Sequence, residues 1–106
     1  MFMIIETPTF TRLWSDYWTE EERGNFASWL AKNSETGDVI PGTNGIRKVR
    51  WSRKGMGKRG GVRVVYYNRI ASGQIWLLTI YAKSANENIP ANILRTIAEE
   101  IESVDV

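Results

Sequence analysis

The sequence predicts an α+β fold in the order β-α-α-β-β-β-α, with a mostly antiparallel sheet and its helices packed on one face. Three observations predict it. Near both ends of the chain, apolar residues recur at spacings of three and four, the helical period. Between them lie runs rich in β-branched and aromatic residues, bounded by glycines, as strands are. The last two of those runs are separated only by Ala71-Ser72-Gly73, short enough for an antiparallel hairpin.

Phe2 to Glu6 is an apolar run suited to a buried strand. Thr7-Pro8 then opens a helix, with Thr as N-cap and Pro at the first helical position. Phe10, Leu13, Trp14, Tyr17 and Trp18 form its apolar stripe. A second helix starts at Thr19, where Glu22 completes a capping box, and it buries Phe26, Trp29 and Leu30 before Asn33 to Asp38 ends it. Glu20-Glu21-Glu22 fills its first turn, where carboxylates complement the helix dipole, so the cluster has a structural use and no metal is invoked. Ile46 to Trp51, Gly61 to Arg69 and Ile75 to Lys83 read as strands. Ser52 to Gly60, with Gly55 and Gly57, reads as a longer, mobile loop. Asn88-Ile89-Pro90 opens a C-terminal helix striped by Ile93, Leu94, Ile97, Ile101 and Val104. With no repeat and no linker, residues 1–106 read as one domain, long enough to bury a core.

Composition narrows the chemistry. The chain has no cysteine and no histidine. Disulfides, a thiolate nucleophile and a Cys-based zinc site are excluded. The commonest general acid/base is missing too, which leaves Lys, Tyr, Arg and carboxylates. No cofactor is implied. The apolar start, Met1 to Ile5, is too short for a secretory leader, and nothing approaches the roughly eighteen apolar residues of a membrane span. A cytoplasmic domain without membrane contact is expected.

The charges are segregated. From Val39 to Asn86 there is no Asp or Glu, yet ten of the fourteen Lys and Arg residues lie there. All twelve carboxylates lie outside that stretch, which points to a polyanionic partner, nucleic acid first. Side chains alternate across a strand. Val49 and Trp51 then oppose Lys48 and Arg50, and Val62, Val64 and Tyr66 oppose Arg63, Val65, Tyr67 and Arg69. Trp76, Leu78 and Ile80 oppose Ile75, Leu77, Thr79, Tyr81 and Lys83. One face is apolar enough to lie under helices. The other collects Lys48, Arg50, Arg63, Tyr81 and Lys83, with Val65, Leu77 and Thr79 between, and suits phosphates and unpaired bases better than duplex grooves. Arg53, Lys54, Lys58 and Arg59 belong to the loop beside it. Gly57-Lys58-Arg59 is no P-loop, because the run leads into a strand instead of a helix.

The stretch from Gly37-Asp38-Val39-Ile40-Pro41-Gly42 through Arg47-Lys48-Val49-Arg50 closely resembles RelE/HigB-like toxins of bacterial type II toxin–antitoxin systems. The resemblance continues through Lys54-Gly55-Met56-Gly57-Lys58-Arg59-Gly60-Gly61-Val62-Arg63 and ends at Leu77-Leu78-Thr79-Ile80-Tyr81-Ala82-Lys83, and the element order matches that fold over essentially the full chain. It implies a RelE-like domain and a ribosome-dependent mRNA endoribonuclease, held inactive by an antitoxin. In such enzymes the ribose 2′-OH attacks the adjacent phosphate, giving a 2′,3′-cyclic phosphate and a 5′-OH.

That chemistry assigns roles to the cations. Arg63 and Lys83 are placed to stabilise charge on the phosphate. Neighbouring cations disfavour a protonated amine, which makes Lys48 the first candidate for the base and Lys58 the second; Lys48 can equally be an rRNA contact. Tyr81 would donate a proton to the leaving oxygen, stack on a base, or be an ordinary strand residue. Arg50 grips the backbone. Arg47, on the helix side, snorkels or meets rRNA together with Arg53, Lys54, Lys58 and Arg59. Some relatives use histidines or a tyrosine near the C-terminal helix; this chain has no His and no Tyr after Tyr81, so its acid/base set would be the Lys/Arg/Tyr variant. The implied partners are the 70S ribosome with mRNA and a cognate antitoxin of the HigA-like helix-turn-helix kind. ParE-like toxins share the fold and inhibit DNA gyrase without cleaving RNA, which is the alternative, as is ribosome binding without cleavage.

Overall fold

The computed structural model describes residues 2–52, 61–83, 85 and 89–104, and its architecture is α+β. In chain order come β1 (Met3–Glu6), α1 (Pro8–Leu13), α2 (Glu20–Lys32), β2 (Asp38–Val39), β3 (Arg47–Ser52), β4 (Gly61–Arg69), β5 (Gln74–Ala82) and α3 (Ala91–Glu102). The sheet runs β1-β5-β4-β3-β2. β2, β3, β4 and β5 pair antiparallel, while β1 lies parallel to β5.

Local chemistry sets the helix starts. The Thr7 hydroxyl accepts the amide of Phe10, and Pro8 stands at the first helical position. α1 is shorter than its stripe predicts: it ends at Leu13, and Trp14–Asp16 forms a 3-10 turn. At α2 both halves of the capping box are made. Thr19 N–H donates to Glu22 Oε1 at 2.8 Å, and Glu22 N–H donates to Thr19 Oγ1 at 3.1 Å. The β4–β5 hairpin turns through a 3-10 turn at Ile70–Ser72 and Gly73, which takes φ +67°, a conformation that favours glycine.

Two apolar clusters hold the sheet. Val49, Val62, Val64, Tyr66, Ile75, Leu77 and Ile80 pack with Phe10, Trp18, Phe26 and Leu30 from the α1–α2 segment. Aromatic contacts tie that layer together, with Trp18 and Phe26 ring centroids 5.0 Å apart and Phe26 edge-on to Trp51 at 5.3 Å. The second cluster takes alternate strand positions. There Val65, Tyr67, Leu78 and Tyr81 meet Leu94, Ala98 and Ile101 of α3.

One register shift corrects the reading of β5. Val65 pairs with Thr79 but Tyr66 pairs with Leu77, so Leu78 is an extra residue, a β-bulge. Each such insertion reverses the parity of everything beyond it. Ile75 and Leu77, expected on the cationic face, lie in the first cluster, while Leu78, expected under the helices, lies in the second. The bulge is tied down by Thr7, whose hydroxyl hydrogen is shared between the carbonyls of Leu77 (2.9 Å) and Leu78 (3.0 Å).

Candidate functional site

The strand registers put the cations of three strands into rows on one face. Lys48, Val65 and Thr79 make one row; Arg50, Arg63 and Tyr81 make the next. Ser52 and Gly61 are paired in the third, and Lys83 N–H donates to the Gly61 carbonyl at 3.0 Å, which brings Lys83 alongside. Successive rows are two residues apart on each strand, about 7 Å. The sheet therefore does bring Lys48, Arg50, Arg63, Tyr81 and Lys83 together, through β3, β4 and β5.

Exposure divides them. Lys48, Arg50 and Lys83 are exposed, whereas Arg63 is half-buried in the middle of the array. Among the described residues, Arg63 Nη1 is shut off from solvent with no hydrogen-bond partner. A buried guanidinium nitrogen without an acceptor is costly. None of these four cations forms an ion pair among the described residues. Tyr81 is 8% exposed and packs in the α3 cluster. So little of its ring face is left for stacking on a base.

A carboxylate stands closer to the array than the acid-free stretch implies. Asp38, the residue just before that stretch, pairs across β2–β3 with Lys48, without closing an ion pair. Nothing in the linear sequence shows this neighbour, because the two-residue strand β2 is too short to carry a pattern. Thr79 stands in the array where strand parity puts it, whereas Ser52 is a site neighbour that the search for charges passes over. Strand parity does find Ser52, two residues beyond Arg50.

Arg47 and Arg69 belong to the frame. Arg47 lies on the helix side, as its parity predicts, and its Nη1 donates to the carbonyls of Glu35 (3.1 Å) and Gly37 (2.7 Å). The neighbouring Tyr66 hydroxyl, in register with Arg47, donates to Ser34 O (2.8 Å) and accepts Gly37 N–H (3.0 Å). Burial is the main reason its phenol is pushed up from the ordinary value, with the Gly37 bond acting against it. Arg69 Nη2 donates to the carbonyls of Glu102 (3.1 Å) and Val104 (2.7 Å), and its Nε pairs with the Glu102 carboxylate at 3.6 Å. A cation there also complements the helix dipole at the end of α3.

Arg53, Lys54, Lys58 and Arg59 fall outside the described residues. A pocket of about 330 Å³ opens at the far end of β4, lined by Glu35, Asn44, Arg47, Asn68, Ile70 and Glu102. It mixes charges of both signs and contains none of the sheet-face cations. Among the described residues there is no group of three or more carboxylates that could hold a metal ion, and no helix is long and apolar enough to cross a membrane. A comparison with models of known protein families finds none that matches this chain.

Proposed function

We propose that this protein is a ribosome-dependent endoribonuclease of the RelE/HigB toxin kind, cutting mRNA and so blocking translation. The observation that carries the reading is the ordered array, in which half-buried Arg63, whose Nη1 has no acceptor among the described residues, stands between Arg50 and Tyr81 with Lys83 in the next row. A scissile phosphate would lie against the part of Arg63 that remains exposed. Its developing charge would be met by Arg63 on β4 and by Lys83 just past the end of β5. Lys48 takes the proton of the ribose 2′-OH as that oxygen bonds to phosphorus. The bond from phosphorus to the 5′ oxygen then breaks, and the leaving oxygen takes a proton from Tyr81. A 2′,3′-cyclic phosphate and a 5′-OH result, and no metal or cofactor enters the step. Arg50 holds the adjoining backbone, and the cations between Ser52 and Gly61 add charge for binding rRNA.

Purified protein, ribosomes and a defined message, with 5′ ends mapped by primer extension, test this directly. Cleavage only when ribosomes are present is the expected result. Arg63→Ala and Lys83→Ala are expected to abolish cleavage and growth arrest while the circular dichroism spectrum stays native. Growth arrest with intact message would instead favour a non-catalytic toxin of the gyrase-inhibiting or ribosome-binding kind. A helix-turn-helix gene beside this one would fit a cognate antitoxin as partner.

A further inference from the structure

Of the rows in the array, that of Lys48 ends in a carboxylate. Across β2, β3, β4 and β5 it reads Asp38, Lys48, Val65, Thr79. The rows of Arg50 and Ser52 stop at β3, because β2 pairs only with Arg47 and Lys48. Residues directly opposite in a sheet stand on the same face, so the Asp38 side chain belongs to the cationic face. Both Asp38 and Lys48 are exposed, and among the described residues Asp38 forms no ion pair. The fold does not ask for this side chain. Aspartate is disfavoured in strands, and at this position it caps no helix.

What would face Asp38 in a bound RNA follows from the order of the strands. The scissile phosphate lies against Arg63 on β4 and the attacking 2′-OH against Lys48 on β3, an order that rests on the proposed reaction. The base hangs from C1′, the ribose carbon next to the one that carries that hydroxyl. Continuing outward from phosphate through sugar therefore leads the base over β2, about 10 Å from β4. No strand lies beyond β2 to block it. A carboxylate repels phosphate but accepts N–H donors. Guanine has two donors side by side on its pairing edge, N1–H and N2–H, which match the two carboxylate oxygens. Adenine, cytosine and uracil each put a lone pair beside the donor. We propose that Asp38 reads the base on the 5′ side of the cut and selects guanine.

The test supplies ribosomes with a library of messages randomised over several codons and maps the cuts made by the full chain. Wild type is expected to cut about tenfold more often after G than after any other base, the worth of one bidentate contact. Asp38→Asn offers one donor and one acceptor, the complement of the adenine and cytosine edges. It is expected to lose the guanine preference and gain one for A or C. Asp38→Ala should lose the preference without acquiring another, while Asp38→Glu keeps part of it. Asp16→Asn removes the same charge from an exposed turn between α1 and α2 and should leave the spectrum of bases unchanged. That spectrum is a ratio within one sample, so a variant that folds less well lowers all cuts together. No guanine preference in the wild type, or the same spectrum in Asp38→Asn, would overturn base reading by Asp38 and leave the ribonuclease standing. No ribosome-dependent cleavage by the wild type would remove both.

Discussion

Tyr66 shows how one residue sets the geometry of the array without belonging to it. Its ring is fully buried among the α1–α2 aromatics, and its hydroxyl bridges Ser34 O and Gly37 N–H in the turn that leads into β2. Gly37 must be glycine for this to fit, since a Cβ would lie 2.7 Å from the hydroxyl and 3.0 Å from the Lys48 carbonyl. Tyr66→Phe keeps the packing but leaves the Gly37 N–H without its acceptor, while Ser34 O keeps the Asn68 side-chain amide at 2.8 Å. A loss of about 1–3 kcal/mol in urea denaturation is expected. Gly37→Ala should cost at least as much, because the carbonyl it would strike belongs to β3 and cannot swing aside. Loss of under a few tenths of a kcal/mol in both would mean that water, rather than Tyr66, serves this turn. None of this could be read from the chain. Tyr66 reads as a core strand residue, and that its hydroxyl reaches Gly37 depends on β2, which no pattern announces.

Elements were legible where a local rule governed them. β4 spans Gly61–Arg69, as its pattern predicts, and the α2 capping box is made as Thr19 and Glu22 imply. What failed was parity through β5, because the extra residue at Leu78 answers to Thr7 across the sheet rather than to its own neighbours. Thr7 and Thr19 are thus unequal caps. Thr19→Ala removes an exposed cap, worth about 1 kcal/mol. Thr7→Ala removes a cap and also leaves the Leu77 and Leu78 carbonyls without its hydroxyl, so its loss should exceed that of Thr19→Ala by about 1 kcal/mol. Equal losses in chemical denaturation would mean that the bulge holds its shape without Thr7. The tether between β4 and α3 has a pH signature. Burial first, then the hydrogen bond to Glu102, pushes the Tyr67 phenol up from 10.0 to about 12. The folded state thus keeps a proton that the unfolded chain releases near 10. Its stabilising share is complete below pH 10 and is lost as pH rises towards 12. Tyr67→Phe should flatten the fall of stability across that window, leaving the share of Tyr66, whose phenol is also raised.

At the scale of the whole molecule, the polarity of the chain is the most legible feature, but the sequence cannot sort its cations by employment. Ten of them lie in the acid-free stretch; strand parity sets Arg47 on the helix side, but nothing there marks Arg69 as part of the frame. In the fold both guanidiniums are held by backbone carbonyls, one locking the turn before β2 and the other the end of α3. A strand of RNA releases one set of counterions for each phosphate neutralised, about 0.7 in the slope of log K against log salt for single strands. Lys48, Arg50, Arg63 and Lys83 together should therefore give a slope of about −3, and the cations between Ser52 and Gly61 can only steepen it. Lys48→Gln, Arg50→Gln and Lys83→Gln should each flatten the slope by about 0.7. Arg47→Gln and Arg69→Gln, once shown by circular dichroism to be folded, should leave it where it is while lowering the denaturation midpoint. A slope that fell equally for all five would mean that RNA responds to the net charge of the chain rather than to the registered face. The array would then be an accident of strand pairing.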